Sequence, residues 1–182
     1  GYVGSTMCRC LRELCRQEQC KELTLLHMGT ETFDRFRLDV YPDRWDSGMG
    51  VNIRVLMGKT YRSCLDYAQN FSENSGNLLF SGGTGLGKTF LSACIARVVA
   101  DKGYSVVYES ASHLFTRLEQ AKFGGDEEAR SYAQRYSVCD LLIVDDLGTE
   151  MGGQFTTAAL YTLINDRLLA GKPMIISTNM NT

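Results

Sequence analysis

Few folds accommodate the octapeptide Gly82-Gly83-Thr84-Gly85-Leu86-Gly87-Lys88-Thr89, which has the form G-x-x-x-x-G-K-T and directly follows the apolar run Asn77-Leu78-Leu79-Phe80. A glycine-rich loop between a predicted strand over 77–81 and a predicted helix is a phosphate-binding P-loop. Glycines let backbone N–H groups turn toward a polyphosphate, and the N-terminus of the following helix adds partial positive charge. Within this candidate nucleotide-binding stretch, Gly82 to Phe90, Lys88 is placed to reach the β- and γ-phosphates and Thr89 to offer its hydroxyl to Mg²⁺. An ordinary Gly-rich turn is the alternative, and the flanking strand and helix argue against it.

A second segment turns phosphate binding into chemistry. Leu141-Leu142-Ile143-Val144-Asp145-Asp146 is an apolar run ending in two carboxylates. Such a run suits a strand buried on both faces of a parallel sheet, so Asp145 emerges at the strand's carboxyl end, where ligands bind in these sheets. There Asp145 can hold Mg²⁺, and Asp146, one residue on, can orient or deprotonate an attacking water. Without the P-loop the pair would read as a solvated strand end.

The chain of 182 residues is 44% hydrophobic and 22% charged, enough to bury the core of one α/β domain with a small appendage. Its net charge of −2 offers no overall basic field, so any DNA contact must come from a local patch. No apolar run approaches the ~18 residues that cross a bilayer, and no signal peptide is visible, so a cytoplasmic protein without membrane partners is expected. The seven cysteines are then expected as reduced thiols or metal ligands. A start at Gly1 without Met suggests a piece of a longer protein.

Along the chain, a helix is predicted from about Met7 to Met28, then an extended linker over Thr32–Trp45 broken at Pro42, and a second helix over Asn52–Phe71. Residues 1–50 are thus read as a Cys-containing helix and linker, and 51–182 as the ATPase core. After the P-loop, the helix buries Leu91, Ile95, Val98 and Val99 and ends at Gly103. A strand over 105–109 leads into a helix capped by Ser112 that stops at Gly124-Gly125, and the polar stretch 126–135 is acidic first and basic later, as a helix dipole prefers. The strand over 141–145 follows. A helix with Ala159, Leu160, Leu163, Ile164, Leu168 and Leu169 on its apolar face then closes at Gly171, before a fourth strand ending in Ser177-Thr178-Asn179. This strand–helix alternation implies an α/β fold with a parallel sheet and right-handed crossovers. Asn179 is either a turn former or a side chain able to hydrogen-bond a γ-phosphate oxygen.

Taken together, Gly-Gly-Thr-Gly-Leu-Gly-Lys-Thr, Leu-Leu-Ile-Val-Asp-Asp-Leu-Gly-Thr-Glu and Ile-Ile-Ser-Thr-Asn resemble the Walker A, Walker B and sensor 1 segments of AAA+ ATPases. More narrowly they resemble the DnaC/DnaI/IstB-like group of bacterial replicative-helicase loaders and transposition helper ATPases. The resemblance implies ATP and Mg²⁺ as cofactors, Lys88 and Thr89 on phosphate and metal, Asp145 assisting the metal, Asp146 acting on the lytic water, and Asn179 sensing the γ-phosphate. It gives Glu150 a supporting role in catalysis or a subunit contact. It also implies a sheet with its four strands in the order 1-4-3-2 and a fifth beside strand 1, with ATP at the junctions of a homo-oligomer. The partners it implies are a replicative DNA helicase, or a transposase, and single-stranded DNA.

The resemblance has two departures. The group's Cys-Pro-x-Cys pair is missing upstream, which leaves Cys8 and Cys10 at most half a zinc site, so zinc is not expected here. The arginine finger, the sensor 2 arginine and the helical lid would follow sensor 1, beyond Thr182, so the stretch is expected to bind nucleotide better than it hydrolyses it. For DNA, the helix from about His113 to Phe123 offers Arg117 and Lys122 as candidate contacts with Phe115 and Phe123 for stacking; the other reading is two core phenylalanines and a solvated cationic face. Phe33 and Phe36 either flank the adenine or simply fill the core. Two further readings remain: a nucleotide-switched interaction module with little turnover, and a small-molecule kinase, whose Arg-rich lid is not seen.

Overall fold

The computed structural model describes residues 30–48, 50–125, 127–148 and 153–180. The helix expected over 7–28, with Cys8, Cys10, Cys15 and Cys20, lies outside them, as does Glu150. The linker after it is not extended as expected. It folds into two 3₁₀ turns, Phe33–Arg35 and Leu38–Val40, because Phe33 buries its ring edge-on against Tyr61, 5.7 Å between centroids, and draws the chain onto the helix that follows. A short antiparallel pair, β1 (Trp45–Asp46) and β2 (Val51–Asn52), leads into helix α1 (Ile53–Gln69), whose N-cap Asn52 accepts from the Val55 N–H.

The body is a four-stranded parallel sheet formed by β3 (Leu78–Ser81), β4 (Val106–Ser110), β5 (Leu141–Leu147) and β6 (Met174–Thr178). Its order, β3-β6-β5-β4, is the 1-4-3-2 arrangement that the resemblance implies. Helices α2 (Lys88–Asp101), α3 (Ala111–Phe123), α4 (Glu127–Val138) and α5 (Gln154–Leu169) connect the strands. Alternation along the strands divides the core between two faces. Val106, Tyr108, Leu141, Ile143 and Ile175 pack with α2 and α1, whereas Val107, Leu142, Val144 and Met174 pack with α3, α4 and α5. Sandwiched between the sheet and α1, α2 is buried on most sides, and its small residues Ser92, Ala93, Cys94 and Ala96 let both layers approach closely.

Two details depart from the sequence reading. The cap of α3 is Ser110, whose Oγ accepts from the His113 N–H, and not Ser112; β4 accordingly runs one residue further than expected. On α5 the inward stripe is Leu160, Leu163 and Arg167, while Leu168 and Leu169 face solvent. The Arg167 guanidinium is fully buried and donates to the carbonyls of Tyr136, Ser137, Cys139 and Pro173, tying the end of α4 to the start of β6. Beside it, Asp140 holds the amino edge of the sheet. Its carboxylate accepts from the Ser105 N–H and Oγ–H and from Lys172 Nζ, so the starts of β4, β5 and β6 meet at one side chain.

Candidate nucleotide site

All the central site residues lie at the opposite, carboxyl edge of the sheet. The loop from Gly82 to Gly87 leaves β3 and enters α2 through backbone conformations that side chains resist: Gly85 has φ 79° and Gly87 φ 88°. Gly87 is also sterically required, since a Cβ there would come within 2.7 Å of Tyr41 Oη, which donates to the Leu86 carbonyl at 3.1 Å. Tyr41 stacks on Phe36, Phe36 stacks on Tyr61, and Phe36 also touches Phe90 in the first turn of α2. The aromatic pair is thus divided: Phe33 belongs to the core and half-buried Phe36 braces the P-loop helix. Gly83, Thr84, Gly85 and Leu86 are exposed at the loop tip, with Thr89 exposed beside them on α2.

Helix α2 begins at Gly87 without a side-chain cap, so the N–H groups of its first turn have no capping side chain. Lys88 sits in that turn. Its ammonium donates to the carbonyls of Gly82 and Gly83 at 2.6 and 2.8 Å and to Asn179 Oδ1 at 2.6 Å. The other end of the Asn179 amide donates to Asp146 Oδ1 at 2.5 Å. One amide, 91 residues along the chain from the P-loop lysine, therefore joins that lysine to the second acid of β5.

Asp145 and Asp146 diverge because the strand bends between them. The register of β5 against β6 shifts between Val144 and Leu147, and Asp146 has φ 58°, the left-handed region that Asp tolerates better than most residues. Asp145 stays in the sheet, 7% exposed, on the α2 side. One of its oxygens accepts from Tyr108 Oη at 2.7 Å and the other from Ser177 Oγ. Ser177 Oγ in turn accepts from the Asp146 N–H at 2.9 Å, so this hydroxyl touches both acids. The sequence reading missed Tyr108 and gave Ser177 no role. A signal for Tyr108 existed: strand alternation puts it on the same face as Asp145, on the strand that the implied sheet order sets alongside.

The donor set suits an ATP–Mg²⁺ complex: an uncapped glycine-fronted helix start, a lysine at its mouth, the Thr89 hydroxyl, and a buried carboxylate. Among the described residues, no cluster of three or more His, Cys, Asp or Glu forms a separate metal site. Cys64, Cys94 and Cys139 are buried there, and burial pushes the thiols of Cys64 and Cys94 up to about 11 and about 12, which leaves them protonated and unreactive.

The residues considered for DNA separate. Phe115 is buried in the core beneath α3, while Phe123 is 67% exposed. Arg117 is engaged from below: it donates to Glu109 at 2.7 Å and lies over the Tyr132 ring, and Glu109 also accepts from Tyr136. Lys122 is exposed, its ammonium 5.4 Å from the Phe123 ring centroid and 5.2 Å from that of Phe155.

A parallel sheet ordered in this way, with a P-loop on its first strand, two acids on the third and an asparagine closing the fourth, defines a P-loop nucleotide-binding domain of the AAA+ type. The chain belongs to the IstB-like ATP-binding protein family, which matches residues 59–182. An ATP-binding protein from an insertion sequence of Mycobacterium tuberculosis is 30% identical over 106 residues, covering 57% of this chain and 40% of that protein. The replicative helicase loader DnaC of Escherichia coli is 23% identical over 115 residues, covering 63% of this chain and 47% of the loader. The chain thus spans less than half the length of these relatives. A crystal structure of the DnaC helicase loader superposes with a TM-score of 0.61 at 21% identity, over 82% of this chain and 80% of that one. No helix among the described residues is long and apolar enough to cross a membrane.

Proposed function

We propose that this protein is an ATPase that uses binding and hydrolysis of ATP with Mg²⁺ to control its hold on DNA and on a partner DNA-processing protein. The observation that carries the reading is the chain of contacts from Lys88 through Asn179 to Asp146, which brings the P-loop, the β5 acids and the end of β6 to one point. Lys88 and the first turn of α2 would bind the polyphosphate, because phosphate oxygens are stronger acceptors for an ammonium than the carbonyls it now contacts. Thr89 and Asp145 would hold the Mg²⁺, which when bound neutralises charge developing on the transferred phosphoryl group. Asp146 would act on the attacking water and Asn179 would register the γ-phosphate. Glu150 keeps the supporting role that the resemblance gives it.

In this proposal the chain comprises an N-terminal Cys-containing helix and linker over 1–50 and the ATPase core over 51–182. Subunits of a homo-oligomer would share the ATP at their junctions. Single-stranded DNA would contact α3, where the Lys122 ammonium lies over the exposed ring of Phe123, which also packs against Phe155. Arg117, already bound to Glu109, would take a weaker part.

The partner is a replicative helicase in the first reading, as for the loader that this chain resembles. A second reading, in which the partner is a transposase, is favoured by the insertion-sequence relative. Lys88→Ala is expected to abolish ATP binding in a calorimetric titration; unchanged affinity would overturn the site. Co-purification of the full-length protein with the host's replicative helicase or a neighbouring transposase, with and without ATP and with Lys88→Ala as control, separates the partners. A nucleotide-sensitive complex with one of them selects that reading.

A further inference from the structure

We infer that Tyr108 is a positioning residue for the metal-binding acid: its hydroxyl, with that of Ser177, fixes the Asp145 carboxylate in the orientation in which it takes Mg²⁺. The inference rests on the ATP–Mg²⁺ reading of the site. A carboxylate at a strand end has a free χ2, and an acid that must accept a metal or its water loses affinity if it samples other orientations. Asp145 lies on the central of three adjacent strands, and each neighbour supplies one hydroxyl: Tyr108 from β4 to one oxygen at 2.7 Å, Ser177 from β6 to the other. Two donors on two oxygens fix the carboxylate plane, and each oxygen retains lone pairs for a further partner.

The three groups are built into the core, with Tyr108 6% exposed, Ser177 1% and Asp145 7%. Tyr108 extends its ring among the apolar residues beneath α2, so its hydroxyl cannot swing away without opening that layer. Ser177 has a different geometry. It donates to Asp145 and accepts from the Asp146 N–H, so removing it disturbs both acids, whereas removing the Tyr108 hydroxyl touches Asp145 alone.

That difference supplies the test. Binding of a fluorescent ATP analogue is titrated against Mg²⁺ from a chelated baseline, in the full-length wild type, Tyr108→Phe and Asp145→Asn, each checked for native folding by circular dichroism. Tyr108→Phe keeps the ring and the packing. It is expected to leave the metal-free affinity unchanged, because the P-loop is untouched, and to raise the Mg²⁺ concentration at half-effect about 10-fold. Mn²⁺ binding followed by electron paramagnetic resonance in the presence of nucleotide should weaken in parallel, a readout independent of turnover. A Tyr108→Phe midpoint equal to that of wild type would overturn the positioning role while leaving the site intact. A wild type that binds nucleotide with no dependence on Mg²⁺, and matches Asp145→Asn, would instead overturn the metal reading on which the inference rests.

Discussion

Asp146 is, among the described residues, the only one other than glycine with a positive φ, and the site depends on that conformation. Had β5 continued regularly, Asp146 would face the opposite side of the sheet from Asp145, toward α3, α4 and α5. The left-handed turn brings it instead to the Asn179 amide, and its own N–H to Ser177. Asp and Asn adopt this region at small cost, while a β-branched residue does not. Asp146→Asn is therefore expected to fold with an unchanged melting temperature and to keep ATP binding, while, under the proposed ATPase function, turnover by the full-length protein falls by about 10²-fold or more. Asp146→Val should cost about 1–2 kcal/mol of stability as well, since it combines the backbone penalty with loss of the carboxylate. Thermal melts beside a phosphate-release assay distinguish the two variants. A Val variant as stable as the Asn variant would mean that the backbone at 146 is not held in this conformation.

At the scale of elements, the equivalent joint is Arg167. The last carbonyls of a helix carry partial negative charge and lack intrahelical partners. The end of α4 is buried against α5, so water cannot supply those partners, and the Arg167 guanidinium does, while its other arm donates to Pro173 O just before β6. Arg167→Met removes these donors, leaving the buried Cys139 carbonyl without its Arg167 partner and the Tyr136 and Pro173 carbonyls with only the Cys139 thiol and the Leu142 N–H. It is expected to cost at least about 3 kcal/mol, with Arg167→Lys intermediate, as read by urea unfolding. The sequence made this helix legible but not this residue. Its partners at the end of α4 lie some thirty positions upstream, and an arginine within an apolar helix reads as an exposed one. Helical spacing alone places Leu168 and Leu169 inward for the same reason: it defines a stripe, but the layer packed against α5 decides which stripe is buried.

Across the whole molecule, the sheet has two edges with different tasks, and they were unequally readable. The carboxyl edge was legible because its chemistry resides in short contiguous motifs at strand ends, and strand–helix alternation sets those ends together. The amino edge carries no motif. Ser105, Asp140 and Lys172 are unremarkable in sequence and acquire meaning only once β4, β5 and β6 are adjacent. Tyr108 is legible only through strand alternation combined with the implied sheet order, its partner being on a neighbouring strand. The Asp140 pin gives the molecule a dependence on acid that belongs to the fold and not to the site. Burial alone would raise the Asp140 carboxyl, but the hydrogen bonds from Lys172 and Ser105 outweigh it and hold the group below its ordinary value. A carboxyl depressed in the folded state stabilises the fold above its unfolded value, near 4, and that contribution is lost as pH falls through the folded value. Asp140→Asn cannot titrate. Its stability deficit relative to wild type, measured by urea unfolding, should hold constant from about pH 7 to about pH 5 and then shrink below about pH 4 as the wild type loses its ionised partner. Because the pin lies at the opposite edge from Lys88 and Asp145, ATP affinity at neutral pH should be unchanged in the folded variant. A deficit that persists undiminished into acid would show that the hydrogen-bond geometry at Asp140, and not its charge, fixes the strand starts.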